Sequence, residues 1–308
     1  MTATPTSATD EPMFAIDLGK TTTRLDVVGS TLSQRVEGPG ARLGDGAAGI
    51  RAVQDALDAV LSQAEADGRT GLPVVAGIAG SLMLPSARAD LARWLARRVA
   101  APAAVTSDIV LAHIGALDGE PGVCLVAGTG AVALGVSSTG DWKVVDGWGP
   151  DIGDLGGGSW IGREGVRAVL NAVDRGGPAT ALLDRLDEVR RLVGEAVGEP
   201  GNAARTLARF APAVLDAASA GDAVAAAIVG EAVAELATTA VGAAFDDVKV
   251  AVLGGLAGHE AFAEALRERL SEGGLLPTRP LGTATAGALL VHRAQGLVLE
   301  GCVERADS

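Results

Sequence analysis

The spacing of apolar residues changes several times along the chain, and each change predicts an element. An apolar run at 13–18 predicts a strand. Residues 23–28, with Leu25, Val27 and Val28 apolar, predict a second, and 32–36 a weaker third. The first two are separated by a short link containing Gly19, so a hairpin is expected. From 47 to 66, Ile50, Val53, Leu57, Val60 and Leu61 recur at helical spacing. A short apolar run at 73–78 ends around Gly77 and Gly80. Ser86 then stands as the expected N-cap of a helix carrying Leu91, Trp94, Leu95 and Val99. Residues 104–106 close this part with one more short strand.

The pattern then begins again. Residues 122–127 and 131–136 predict strands on either side of Gly128-Thr129-Gly130, and 142–145 a third. A mainly helical stretch runs from 159 to 246. A strand at 249–253, a Gly254-Gly255 turn, a helix at 259–272 and a last helix at 283–295 follow. Two halves that each open with a hairpin around a Gly/Thr turn amount to an internal structural repeat. The expected organisation is a disordered tail over 1–12 and a first lobe over 13–112. A second lobe follows over 113–282, and the helix at about 283–300 packs back on the first lobe.

The stretch FAIDLGKTTTRLDVVG, 14–29, contains Gly-Lys-Thr and so invites reading as a P-loop. That motif needs a further Gly five residues before Gly19, where Phe14 stands, and a helix after the lysine, where a strand is expected. The alternative is a hairpin turn that holds phosphate. Gly19 brings backbone close to the ligand, Thr21 and Thr22 supply hydroxyls, and the turn amides form an anion nest. Lys20 is one of three lysines in the chain. Asp17, ending the first strand, would face Mg2+ through water. The competing reading is an ordinary tight turn with solvated polar groups. The turn at Gly128, Thr129 and Gly130 repeats the arrangement, and two such turns facing each other across a cleft suit a nucleotide. Bare backbone at Gly254 and Gly255, before a helix N-terminus, suits adenine and ribose.

Composition narrows the function classes. The chain has 308 residues, 48% hydrophobic but only 3% aromatic, with no Tyr. Its core must therefore be Val, Leu, Ile and Ala, closely packed. A net charge of -13 disfavours nucleic acid and anionic membranes as partners. Cys124 and Cys302 lie far apart and the three histidines are scattered, so neither a disulfide framework nor a zinc site is expected. The start of the chain lacks the basic and apolar regions of a signal peptide. The apolar stretch at 223–245 is interrupted by Glu231 and Glu235 and reads as a buried Ala-rich helix. A soluble cytoplasmic protein is expected.

The motifs DLGKT (17–21), GIAG (77–80), TSD (106–108), AGTG (127–130), GWGPDIGDLGGGSWIG (147–162), RFAPAVLDAASAGDAVAAAIV (209–229) and LGGLAG (253–258) together resemble a known family. It is the N-acetylglucosamine kinase branch of the BadF/BadG/BcrA/BcrD ATPase family, within the sugar kinase, Hsp70 and actin superfamily. The resemblance implies an α/β, two-lobed actin-like (ribonuclease H-like) ATPase fold with an interdomain nucleotide cleft. It implies ATP, Mg2+ at Asp17, phosphate at Gly19–Thr22 and Gly128–Gly130, and adenosine at Gly254 and Gly255. Asp108 becomes the catalytic base, and Gly80, Asp108, Gly147, Trp148, Gly149 and Asp154 line the sugar site. Read without the resemblance, Asp108 is a helix-start acid, Asp154 an N-cap and Trp148 a packing residue. Where the family reads GDEGS, this chain has Leu155 and Gly157. Ala131 replaces a Ser, and Arg42 stands where a sugar-binding Asn is expected.

The leading expectation is an amino-sugar kinase making the 6-phosphate of N-acetylglucosamine or glucosamine, as a homodimer. The alternatives are an N-acetylmuramic acid kinase, with Arg42 pairing the lactyl carboxylate, and a non-kinase ATPase that activates a partner enzyme through an iron–sulfur cluster. An actin-like regulatory protein is a further alternative.

Overall fold

The computed structural model describes residues 11–20, 22–29, 34–41, 43, 46–246 and 248–308. The expected tail therefore lies almost wholly outside the described residues. The chain divides into two compact units. The first holds the chain up to Glu120, then Ser138–Gly140 and Pro280–Ser308; the second holds Pro121–Ser137 and Asp141–Arg279. Residue 113, where the boundary was expected, lies inside a helix of the first unit.

Unit 1 contains β1 (Met13–Leu18), β2 (Thr22–Val28), β3 (Gln34–Pro39), α1 (Ala47–Ala66), β4 (Val74–Ile78), α2 (Pro85–Val99), β5 (Ala103–Thr106) and α3 (Asp108–Leu117). Its sheet runs β11-β5-β4-β1-β2-β3, with α10 (Ala284–Arg293) and β11 (Glu304–Ala306) contributed from beyond unit 2. β1–β2–β3 is an antiparallel meander, and β1, β4 and β5 are parallel. Phe14, Ile16 and Leu18 join one core with Val53, Leu57, Val60 and Leu61 of α1 and Leu91 and Leu95 of α2. Side chains alternate along a strand, so Ala15 and Asp17 take the opposite face, where α10 packs on β1 and β4 and α3 on β4.

Unit 2 contains β6 (Gly122–Ala127), β7 (Ala131–Val136), β8 (Trp142–Asp146), α4 (Gly158–Arg175), α5 (Leu186–Gly198), α6 (Ala203–Ala208), α7 (Ala211–Ser219), α8 (Ala223–Ala243), β9 (Lys249–Leu253), α9 (Glu260–Glu272) and β10 (Leu276–Thr278). Its order, β10-β9-β6-β7-β8, repeats that of the first five strands, with the same parallel and antiparallel pairs. The repeat expected from the two hairpins is thus present in the sheet topology, in the order implied by an actin-like fold.

Three expectations need correction. Leu84, not Ser86, precedes the first residue of α2, because Pro85 supplies the helical φ at N1. Asp154 is not the N-cap of α4; Gly157 is. α8 is buried on one face only. Ala225, Ala232, Leu236 and Ala240 face inward, while Ala226, Ala227, Gly230 and Glu231 are exposed. Among the described residues it is the one helix long and apolar enough to cross a membrane, yet it packs on β6, β7 and β8.

With few aromatics, helices approach through glycine. A Cβ on Gly115 of α3 would lie 1.9 Å from Thr283 O, and one on Gly287 of α10 would lie 2.0 Å from Leu111 O. Gly115→Ala is therefore expected to lower unfolding free energy by about 2 kcal/mol or more. Gly194→Ala, where α5 faces open space, should instead stabilise by about 0.5–1 kcal/mol. Chemical denaturation of both variants checks the contrast.

Candidate functional site

In unit 1 the strand register builds the site. Asp17 pairs across to Gly77, and Gly77 to Thr106, so one row of the parallel sheet ends in Asp17, the 77–80 loop and Ser107-Asp108. Gly77 is required there, since its Cβ would lie 3.1 Å from Asp108 Cα and 2.7 Å from Leu111 Cδ1. Gly80 turns the loop with φ +82°. Buried Ser81 donates to Thr106 O at 2.9 Å, and Thr106 donates to Cys302 O at 2.7 Å, tying β5 to its neighbours beneath the site.

Asp108 is the first residue of α3, where the helix dipole favours a carboxylate. Ser107 occupies the N-cap without capping through its side chain. Its hydroxyl donates instead to Asp108 Oδ1 at 2.9 Å, and the Ile109 amide donates to the same oxygen at 2.8 Å. Burial pushes the Asp108 carboxyl up, while Ser107, Ile109 and the Lys20 ammonium pull it back. Asp17 is raised to about 6, first by burial and then by the charge of Asp108, with Arg24 opposing. The charge of Asp108 raises the proton affinity of Asp17, and two acids at one end of the sheet give an electrostatic environment that favours a cation. Among the described residues no group of three or more His, Cys, Asp or Glu could hold a metal. The single Asp17 carboxylate fits magnesium, which keeps most of its water and takes few protein ligands.

The β1–β2 turn is closed by Gly19 N donating to Thr22 O at 3.0 Å. Lys20 is exposed and Thr22 half-buried. A strand follows the lysine, which removes the P-loop reading. Thr21 and Arg42 lie outside the described residues.

Unit 2 carries the remaining candidates. Gly128 N donates to Gly130 O at 3.0 Å, closing the β6–β7 turn, and Thr129 is exposed. Gly158 N and Ser159 N, at the start of α4, donate to Gly128 O and Thr129 O, both at 2.8 Å. Gly254, at φ +108°, lies against Ala127 O, where a Cβ would come within 2.3 Å; Gly255 faces open space. Gly147 and Gly149 have φ of +78° and +99°. Trp148 is 72% exposed, which removes the packing reading. Asp154 is buried, and its carboxylate lies where a Cβ on Gly130 would be, 2.5 Å from Oδ2. The sugar-block candidate and the phosphate-turn candidate are therefore in contact within one unit.

Two residues were not singled out from sequence. Asp146 accepts from the Asp154 and Leu155 amides; an Asp-Gly pair at a strand end was its one signal. Arg163 donates to Pro150 O and steadies the same loop.

Comparison with known proteins gives three kinds of match. The BadF/BadG/BcrA/BcrD ATPase family matches over residues 15–290. An N-acetyl-D-glucosamine kinase from Dictyostelium discoideum is 42% identical over 74 residues, 24% of this chain and 23% of the relative. An N-acetylmuramic acid/N-acetylglucosamine kinase from Clostridium acetobutylicum is 33% identical over 78 residues, 25% of this chain and 26% of the relative. The matched segments thus span about a quarter of these curated relatives. The crystal structure of a candidate N-acetylglucosamine kinase from Chromobacterium violaceum aligns over 92% of this chain and 99% of its own. Its identity is 25% and its TM-score 0.63.

The raised Asp17 carboxyl gives a test. The fold keeps the proton to higher pH than the unfolded chain does. The protonated form's contribution to stability is therefore present below 3.8 and lost as pH rises through about 6. Carboxyl NMR should show Asp17 titrating near about 6. Asp108→Asn should lower that midpoint but leave it above 3.8, because burial is the larger cause. A wild-type midpoint at 3.8 would remove the desolvated environment.

Proposed function

The chain belongs to the BadF/BadG/BcrA/BcrD ATPase family, and on that premise we propose that it is an ATP-dependent sugar kinase. It phosphorylates an amino sugar, N-acetylglucosamine or glucosamine, at the 6-hydroxyl. The observation that carries this reading is the Asp17–Asp108 pair, held with Lys20 at one end of the unit 1 sheet. The names of the two curated relatives support the choice of sugar.

Asp108 is the base. Ser107 and Ile109 both donate to Oδ1, which orients Oδ2 toward an acceptor hydroxyl. Burial that raises its proton affinity makes it a better acceptor of the proton released as the sugar oxygen attacks. Phosphoryl transfer otherwise depends on positioning and charge neutralisation. The turns at Gly19–Thr22 and Gly128–Gly130 bind phosphate oxygens through backbone amides and hydroxyls, and Lys20 neutralises charge. Asp17 holds magnesium through water, and the ion neutralises phosphate charge when bound. Gly254 and Gly255 present bare backbone to adenosine. Asp154 accepts sugar hydroxyls, Gly80, Gly147 and Gly149 shape the sugar loops, and exposed Trp148 offers a stacking face. With a net charge of -13, the protein suits small solutes in the cytoplasm better than polyanions or anionic membranes.

Both cysteines are buried, and burial pushes the Cys124 thiol up to about 12. That counts against the cluster-bearing activator reading, which needs accessible thiolates.

ADP release over N-acetylglucosamine, glucosamine, N-acetylmuramic acid and glucose tests the proposal. Turnover stimulated by an amino sugar is expected, and sugar-independent turnover would overturn it. Asp108→Asn should retain nucleotide binding and lose at least about a hundredfold in kcat. Full activity in that variant would remove Asp108 from the chemistry.

A further inference from the structure

We infer that Asp146 is the positioning residue for Asp154: its carboxylate clamps the loop that carries the sugar-facing carboxylate. The inference rests on the kinase reading for what Asp154 does, and on the geometry of unit 2 alone for the clamp.

Asp146 ends β8 and uses both oxygens. Oδ1 accepts from Asp154 N at 2.7 Å and Oδ2 from Leu155 N at 2.8 Å. Capture of two consecutive amides fixes the direction in which the chain leaves residue 154, and so where that side chain points. Gly153 makes room for the clamp, since a Cβ there would come within 2.4 Å of Asp146 Oδ1.

The backbone shows why a clamp is needed. Four non-glycine residues among those described have left-handed φ: Ala100, Asp118, Asp146 and Asp154. Ala100 and Asp118 end α2 and α3, where that conformation closes a helix. Asp146 (φ 64°) and Asp154 (φ 55°) end no helix. Each holds a conformation that L residues disfavour, and the two are joined by the clamp. Beyond it, Gly157 N donates to Asp154 O at 3.1 Å, while the start of α4 is tied separately to the 128–129 carbonyls. Loosening Asp146 should therefore loosen the backbone at 154–155 while the ties between the start of α4 and the phosphate turn remain.

Asp146→Gly separates the clamp from the conformation. Glycine adopts the left-handed φ freely but has no acceptor. Asp146→Asn keeps one acceptor oxygen and tolerates the same φ, so it covers the case in which the glycine variant fails to fold. Hydrogen–deuterium exchange of residues 147–157 and steady-state kinetics with N-acetylglucosamine are measured on the full chain. In Asp146→Gly the Asp154 and Leu155 amides should exchange about tenfold faster or more, as expected for losing a charged hydrogen bond. The sugar KM should rise by about tenfold while the ATP KM stays within about twofold, with Asp146→Asn intermediate.

Unchanged exchange in both variants overturns the clamp, whatever the enzyme phosphorylates. Faster exchange with an unchanged sugar KM overturns the positioning role. Faster exchange in a protein whose wild type turns over no sugar upholds the clamp and sinks the kinase reading instead.

Discussion

The parallel register of β1, β4 and β5 is the constraint on which the unit 1 site depends. Parallel strands deliver their following loops to the same edge of the sheet. Here one row of paired residues, Asp17, Gly77 and Thr106, ends in two carboxylates and a glycine turn. Sliding β5 by one residue would turn Thr106 and the start of α3 to the other face. The hydroxyl bonds from Ser81 to Thr106 and from Thr106 to Cys302 lock that row from below. The influence of Asp108 on Asp17 is thus built by strand pairing.

Unit 2 uses the same topology with different local chemistry. Its register places Val126 beside Leu253, so Gly128 and Gly254 leave the sheet close together. Where unit 1 offers carboxylates, unit 2 offers backbone: Gly254 lies on Ala127 and Gly128, and Gly157 on Gly130. Side chains would fill these approaches. At these positions glycine lets one loop pack directly on another.

How much was legible follows from the kind of signal. α1 and β6 were readable to the residue, because each has a long period or a continuous apolar run. β10 and β11 have three residues each and carry no period of their own; their strand character comes from pairing with β9 and β5. The expectation for Ser86 failed because residue type alone does not distinguish a cap from the second residue after a Pro start. Asp154 was singled out through motif resemblance. Asp146 was not, because its partners are amides eight and nine residues on, a relation that no pattern along the chain displays.

The discontinuity of unit 1 has a consequence for synthesis. β1 to β5 leave the ribosome early, yet β11, which covers the β5 edge, and α10, which lies on β1 and β4, are made only after all of unit 2. Unit 2, nearly contiguous, can close while those parts are still unmade. The earliest strands must wait with an open edge and an uncovered apolar face. The nascent chain is therefore most exposed to misassociation at its oldest segment.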